Sequence, residues 1–165
     1  HILKKVREKG HVDVHLTIIG RIESSQYGHA ITKLVNQNRS WIDAAGYVAG
    51  PSKTQLLCEH PYALHACKGE TFGVAVAEML QCDCLAFVPN NSGPAEIVGL
   101  EALCYRSENE AIEKICHVLA NHDYASQLRA DLASNHSPFT PEQFMANLRN
   151  LVKRFRDQVD HERVA

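Results

Sequence analysis

A chain of 165 residues fits one domain of ordinary size, and 45% hydrophobic with 22% charged residues is the balance of a globular core. No apolar run approaches the roughly 18 residues of a membrane span, and no signal peptide is evident. A formal net charge of -2 and a pI near 6.6 leave no basic footprint for nucleic acid, which excludes that class of partner.

In chain order, the opening H-I-L-K-K-V-R-E-K-G reads as a helix, followed by an apolar run at Val14 to Ile19 that predicts a buried parallel strand ending at Gly20. Gly20 to Gly28 is a polar loop that carries Arg21 just past the strand end, and Tyr27 to Asn38 is helical. Trp41 to Val48 contains a second strand or loop with Gly46 and Gly50 near its end, and Pro51 and Ser52 then start a helix that runs to His60. Tyr62 to Ala66 is a short strand leading into the loop of Glu70. Thr71 to Leu80 is helical with Thr71 as N-cap, Cys84 to Val88 is another strand, and Glu101 to Tyr105 the last. From Glu108 onward the pattern is helical, with a break at Ser137-Pro138 and a restart at Thr140-Pro141-Glu142 that reaches Asp160. Strict alternation of strand and helix predicts an α/β fold, a Rossmann-like parallel sheet with helices on both faces.

Lys68 to Gly99, K-G-E-T-F-G-V-A-V-A-E-M-L-Q-C-D-C-L-A-F-V-P-N-N-S-G-P-A-E-I-V-G, is the segment richest in chemistry. It sets Glu70 and Glu78 on either side of a predicted helix start, with Gly69 and Gly73 letting backbone approach a ligand closely. At about 1.5 Å per residue, Glu78 would stand about 12 Å from Glu70, of the order of two sugar rings joined by a diphosphate. The open amides of the helix start would then face the phosphates. The same two acids also fit a first-turn Glu that complements the helix dipole and a second on a solvated face. Against that, Glu78 stands among Val74, Ala75, Val76, Ala77, Met79 and Leu80; a helix so apolar predicts burial, and a carboxylate there needs a partner, protein or ligand.

The E-x7-E spacing of Glu70 and Glu78, the Phe72-Gly73 pair, Glu78-Met79 and S-G-P-A-E-I-V at Ser92 to Val98 together resemble the donor-binding half of the retaining glycosyltransferases of family 4, which have the GT-B fold. The resemblance is strongest over Tyr62 to Val98, continues back to about Val14 and is loose over the remaining helices. It implies transfer of a hexose from a nucleoside diphosphate sugar, UDP- or GDP-linked, to an acceptor with retention and with no metal cofactor. It further implies that Glu70 contacts the donor sugar as the catalytic-site acid and that Glu78 contacts the ribose. The amides around Thr71, Phe72 and Gly73 would meet the phosphates and sugar, Asn91, Ser92 and Gly93 would add contacts from the following turn, and Tyr47 or Val48 would rest against the base. Lys68, beside Glu70, is a candidate for the phosphates. Turn chemistry alone would also select Asn90, Asn91 and Ser92, Glu96 fits a place at a helix start, and Gly46 to Gly50 also fits an ordinary glycine-bounded turn.

Family members carry two such domains, and their donor half opens on a strand ending in a G-R-x-x-x-x-K-G type segment whose Arg and Lys neutralise the diphosphate. Neither that strand nor its basic pair is found here, and Arg21 does not fall on the Arg position. Residues 1–165 are therefore expected to be one donor-binding domain, lacking the first strand and the acceptor domain that would be its partner, and inactive alone in sugar transfer. A non-catalytic nucleotide-sugar module or an epimerase-like GT-B protein is the alternative, with E-x-F-G-x4-E arguing for a transferase.

Cys58, Cys67, Cys82, Cys84, Cys104 and Cys116 match no disulfide framework and predict buried or half-buried thiols in a cytoplasmic setting. Cys82-x-Cys84 with Cys67, His65 and His60 is a poor chelate, so no metal is expected. The final helix carries Phe144, Leu148, Leu151, Val152 and Phe155 at helical spacing beside Arg149, Lys153, Arg154 and Arg156. Those cations fit a solvated face, and by resemblance also peripheral contact with the inner face of a membrane.

Overall fold

A computed structural model of the chain describes residues 1–67, 69–135 and 141–164. Residues 1–132 form one compact unit and residues 133–165 a second.

The first unit alternates helix and strand: α1 (Ile2–Gly10), β1 (Leu16–Ile19), α2 (Gln26–Gln37), β2 (Ile42–Gly46), α3 (Gly50–Cys58), β3 (Tyr62–Leu64), α4 (Val74–Gln81), β4 (Leu85–Pro89), α5 (Gly93–Val98), β5 (Cys104–Tyr105) and α6 (Glu108–Ala120). α7 (His122–Asn135) follows, and α8 (Pro141–Val164) lies in the second unit. Every strand pairing is parallel, as the alternation predicts, and the strands hydrogen-bond in two groups, β1-β2 and β3-β4-β5. The register sets Leu16 beside Ile42, Leu64 beside Phe87 and Pro89 beside Tyr105. His60 ties the groups together: Nδ1 meets the Leu56 carbonyl at 2.7 Å, and Nε2 meets Thr17 Oγ1 of β1 at 3.0 Å.

The core is centred on β4, whose five residues L-A-F-V-P are all buried, the continuous apolar run of a strand covered on both faces. Val6 of α1, Val76 and Ala77 of α4, Ile97 and Val98 of α5, and Ile112, Ile115 and Val118 of α6 pack around it. α1 is also pinned by Arg7, whose guanidinium lies 5.0 Å from the Trp41 ring centroid and donates to the Val14 carbonyl.

Several boundaries differ from the sequence expectation; β1 begins at Leu16 rather than Val14, and β3 ends at Leu64 rather than Ala66. α3 begins at Gly50, with Ala49 as N-cap and Pro51 in the first turn, so Ser52 is inside the helix and caps nothing. The helix expected at Thr71 begins at Val74, because Gly73 is left-handed (φ 96°) and ends the loop there. Glu101–Leu103 is a 3₁₀ turn, which leaves β5 only Cys104 and Tyr105. The run after Glu108 breaks at Asn121 (φ -130°, ψ 93°), whose Oδ1 accepts from the Tyr124 amide at 3.0 Å and so starts a new helix. The expected break at Ser137-Pro138 and the cap at Thr140 lie outside the described residues, and α8 runs four residues past Asp160.

Candidate functional site

β3 and β4 both end in loops on the same side of their parallel pair, and the two loops are locked to each other. Gly93 donates its amide to the Glu70 carbonyl at 3.2 Å. A methyl group on Gly93 would sit 2.1 Å from the Thr71 carbonyl oxygen and 2.8 Å from Phe72 Cα, and one on Gly73 would sit 2.8 Å from Pro94 Cγ. The glycines of E-T-F-G and of S-G-P thus allow two backbone segments to touch, which gives one physical reason for both motifs in one chain.

Within this cradle Glu70 folds back on its own loop: its Oε1 accepts from the Phe72 amide at 3.2 Å. Thr71 is exposed and caps no helix, which overturns the expected N-cap; α4 has no side-chain cap, and since the Val76 amide donates to the Gly73 carbonyl at 3.0 Å, the open first-turn amides are those of Val74 and Ala75. Phe72 is 55% exposed. Glu70 lies in the loop before the helix, so the 12 Å axial estimate, which ran a helix from Thr71, does not describe the separation of the two acids. Lys68 lies outside the described residues.

Glu78, on α4, has the partner its surroundings demand. Lys53 Nζ of α3 stands 2.5 Å from Glu78 Oε1, each side chain about a third exposed (30% and 34%). The helix is less buried than its composition suggests: Val76 and Ala77 are covered, while Val74 is 61% exposed. One oxygen of the carboxylate is therefore oriented by a cation from a neighbouring helix.

In the second turn, Asn91 is left-handed (φ 56°) and its amide donates to Asn90 Oδ1 at 3.0 Å. Ser92 caps α5: its hydroxyl accepts from the Ala95 amide at 3.3 Å and donates to the Pro89 carbonyl at 2.6 Å. Glu96 is exposed in the first turn of α5, as its position suggests. The Asn90 amide is bound to the Tyr105 carbonyl at 2.7 Å.

Tyr47, one residue past the end of β2, and Arg21, two past the end of β1, form a separate cluster. The Arg21 guanidinium lies 5.7 Å from the centroid of the Tyr47 ring, which is 71% exposed. Sequence reasoning missed Lys53, because its contact with Glu78 spans 25 residues and leaves no local pattern. It also missed the role of Pro94 as the surface against which Gly73 packs.

Among the described residues no three His, Cys, Asp or Glu side chains are placed to hold a metal, and no disulfide is formed. Cys84 and Cys104 are buried, and burial pushes the Cys84 thiol up to about 12. Cys82 is raised to about 11 by burial and by the neighbouring Cys58. Cys58 and Cys67 are exposed, contrary to the expectation of buried thiols, since one ends α3 and the other lies in the loop after β3. No helix among the described residues is long and apolar enough to cross a membrane.

No curated protein matches the chain significantly. The family model described as glycosyl transferases group 1 matches residues 1–121, from α1 through the end of α6 and across the whole of both loops. The chain belongs to the group 1 glycosyl transferases.

Proposed function

We propose that this chain is the nucleotide-sugar-binding half of a retaining GT-B enzyme of glycosyltransferase family 4, which transfers a hexose from a UDP- or GDP-linked donor. The observation that carries this reading is the interlocked pair of loops at the carboxyl ends of β3 and β4, the place where parallel α/β sheets take ligands. Glu70 would meet the sugar hydroxyls. Glu78, oriented by Lys53, would meet the ribose through its other oxygen. The amides of Thr71 to Gly73 and the open start of α4 would face the diphosphate without a metal, with Asn91, Ser92 and Gly93 lining the opposite loop and Lys68 beside Glu70. Ser92 would contribute from its backbone, since its hydroxyl already serves as a cap. Tyr47 would rest against the base.

A facing acceptor domain and an additional strand, both from a longer cytoplasmic protein, complete the proposal. β1 and β3 are each hydrogen-bonded to a single neighbouring strand among the described residues, which is compatible with a further strand. For the proposed contact with the inner face of a membrane, α8 is the candidate, since Phe144, Leu151 and Phe155 are exposed beside Arg149 and Arg156. The test is to incubate the longer protein with a panel of nucleotide sugars and acceptors and follow the anomeric signal by NMR. Transfer with retained configuration supports the proposal; donor binding with no transfer favours a non-catalytic module, and inversion at a sugar ring carbon other than the anomeric one favours an epimerase.

A further inference from the structure

We infer that His65 is a donor-contacting residue whose Nε2 hydrogen-bonds a phosphoryl oxygen of the nucleoside diphosphate; this rests on the donor-binding reading above. His65 directly follows β3, at its carboxyl end, and precedes Glu70 by five residues. Its main chain is held at two points: the amide donates to the Phe87 carbonyl at 2.9 Å, and its carbonyl accepts from the Tyr105 hydroxyl at 3.1 Å. Tyr105 is itself buried, so the anchor is a fixed one.

The ring is the unusual part. Nε2 is shut off from solvent and has no hydrogen-bond partner. A buried polar atom without a partner costs about 1–3 kcal/mol, and folded proteins rarely keep one without a use. His60, five residues earlier, shows what a purely architectural histidine looks like here, since both of its ring nitrogens are engaged. His65 is held as firmly at its backbone yet leaves one nitrogen unspent, at the sheet end where a ligand is expected. An imidazole N–H meets a phosphoryl oxygen as a donor, and the loop that follows leads into the uncapped start of α4, which favours the same anion.

The test is NMR on the chain labelled with ¹⁵N, titrated with UDP, GDP and inorganic pyrophosphate into the millimolar range. The expected result is that the His65 Nε2 resonance moves along the same saturation curve as the amides of Thr71 to Val74. In parallel, His65→Phe should bind the nucleotides at least about tenfold more weakly, while His65→Gln, which keeps an N–H at a similar reach, should retain most of the affinity. If the Thr71 to Val74 amides move while Nε2 stays still and His65→Phe binds as the unsubstituted chain does, the role of His65 is overturned and the donor reading stands. If neither the amides nor Nε2 respond to any of the three probes, both fall. If His65→Phe fails to fold, the ring resonance of the unsubstituted chain decides.

Discussion

Gly93→Ala tests the interlock of the two loops. At a helical position Ala is favoured over Gly by up to about 1 kcal/mol, so local propensity alone predicts a neutral or stabilised protein. The structure predicts the opposite sign. The new methyl would lie 2.1 Å from the Thr71 carbonyl oxygen, 2.5 Å from its carbon and 2.8 Å from Phe72 Cα, all backbone atoms that no rotamer change can clear. Overpacking of this kind costs about 1–3 kcal/mol, and because backbone must move the upper end applies, about 2–3 kcal/mol net of propensity. Gly69→Ala is the control: its φ is 92° with nothing within 4 Å, so only left-handed strain of about 1–2 kcal/mol is added. Gly73→Ala combines both penalties, with φ 96° and Pro94 Cγ at 2.8 Å, for a total of about 2–5 kcal/mol. Urea denaturation followed by far-UV circular dichroism ranks the three. A Gly93→Ala protein as stable as its parent, with unmoved amide resonances at residues 70–73, would refute the interlock.

Lys53→Ala should weaken UDP or GDP binding several-fold by releasing Glu78, and the double variant with Glu78→Ala should bind no worse than Glu78→Ala alone; additive losses by calorimetry would show that Lys53 does not act through Glu78. Stability should be level below pH 9 and fall as pH rises from 9 toward 12. Across that window the unfolded Cys84 thiol ionises from 9.0 while the buried one keeps its proton to about 12, so each pH unit favours the unfolded chain by up to about 1.4 kcal/mol; a melting temperature that Cys84→Ala leaves with the same pH slope would contradict this. A thiol-reactive dye should label Cys58 and Cys67 in the native protein and spare Cys84 and Cys104 until denaturant is added, as mass spectrometry would read. Sedimentation with vesicles containing anionic lipid, but not with zwitterionic ones, should be reduced by high salt and abolished by Phe144→Ala with Phe155→Ala; equal sedimentation with both lipids would remove the electrostatic part of the membrane proposal.

The alternation of apolar runs and helical patterns made the α/β class legible, because L-A-F-V-P and L-T-I-I have no helical spacing and each is followed by a helix. The loops that build the site were also legible as glycine-rich segments after strands. What failed was the local geometry. Gly73 was readable as a flexible point but not as the residue that stops the Thr71 run, since its left-handed conformation fits a contact with Pro94 across the fold. The partner of Glu78 was predicted to exist and could not be named, because Lys53 is brought to it only by the packing of α3 against α4. The start of a helix at Asn121 had a local signal, an Asn ahead of His-Asp, that the continuous apolar period of the segment obscured.

If Glu70 and Glu78 grip opposite ends of one nucleotide-sugar donor, comparing nucleotide and nucleotide-sugar affinities for Glu70→Ala and Glu78→Ala separates their two roles. With no counterpart of the family's basic pair read in residues 1–165, the proposed site should bind in the millimolar range, where NMR titration applies. Glu78→Ala should weaken UDP or GDP as much as the full donor, whereas Glu70→Ala should weaken the sugar-bearing form and leave the bare nucleotide unchanged. Both variants binding every ligand as the parent chain does would contradict this division of roles.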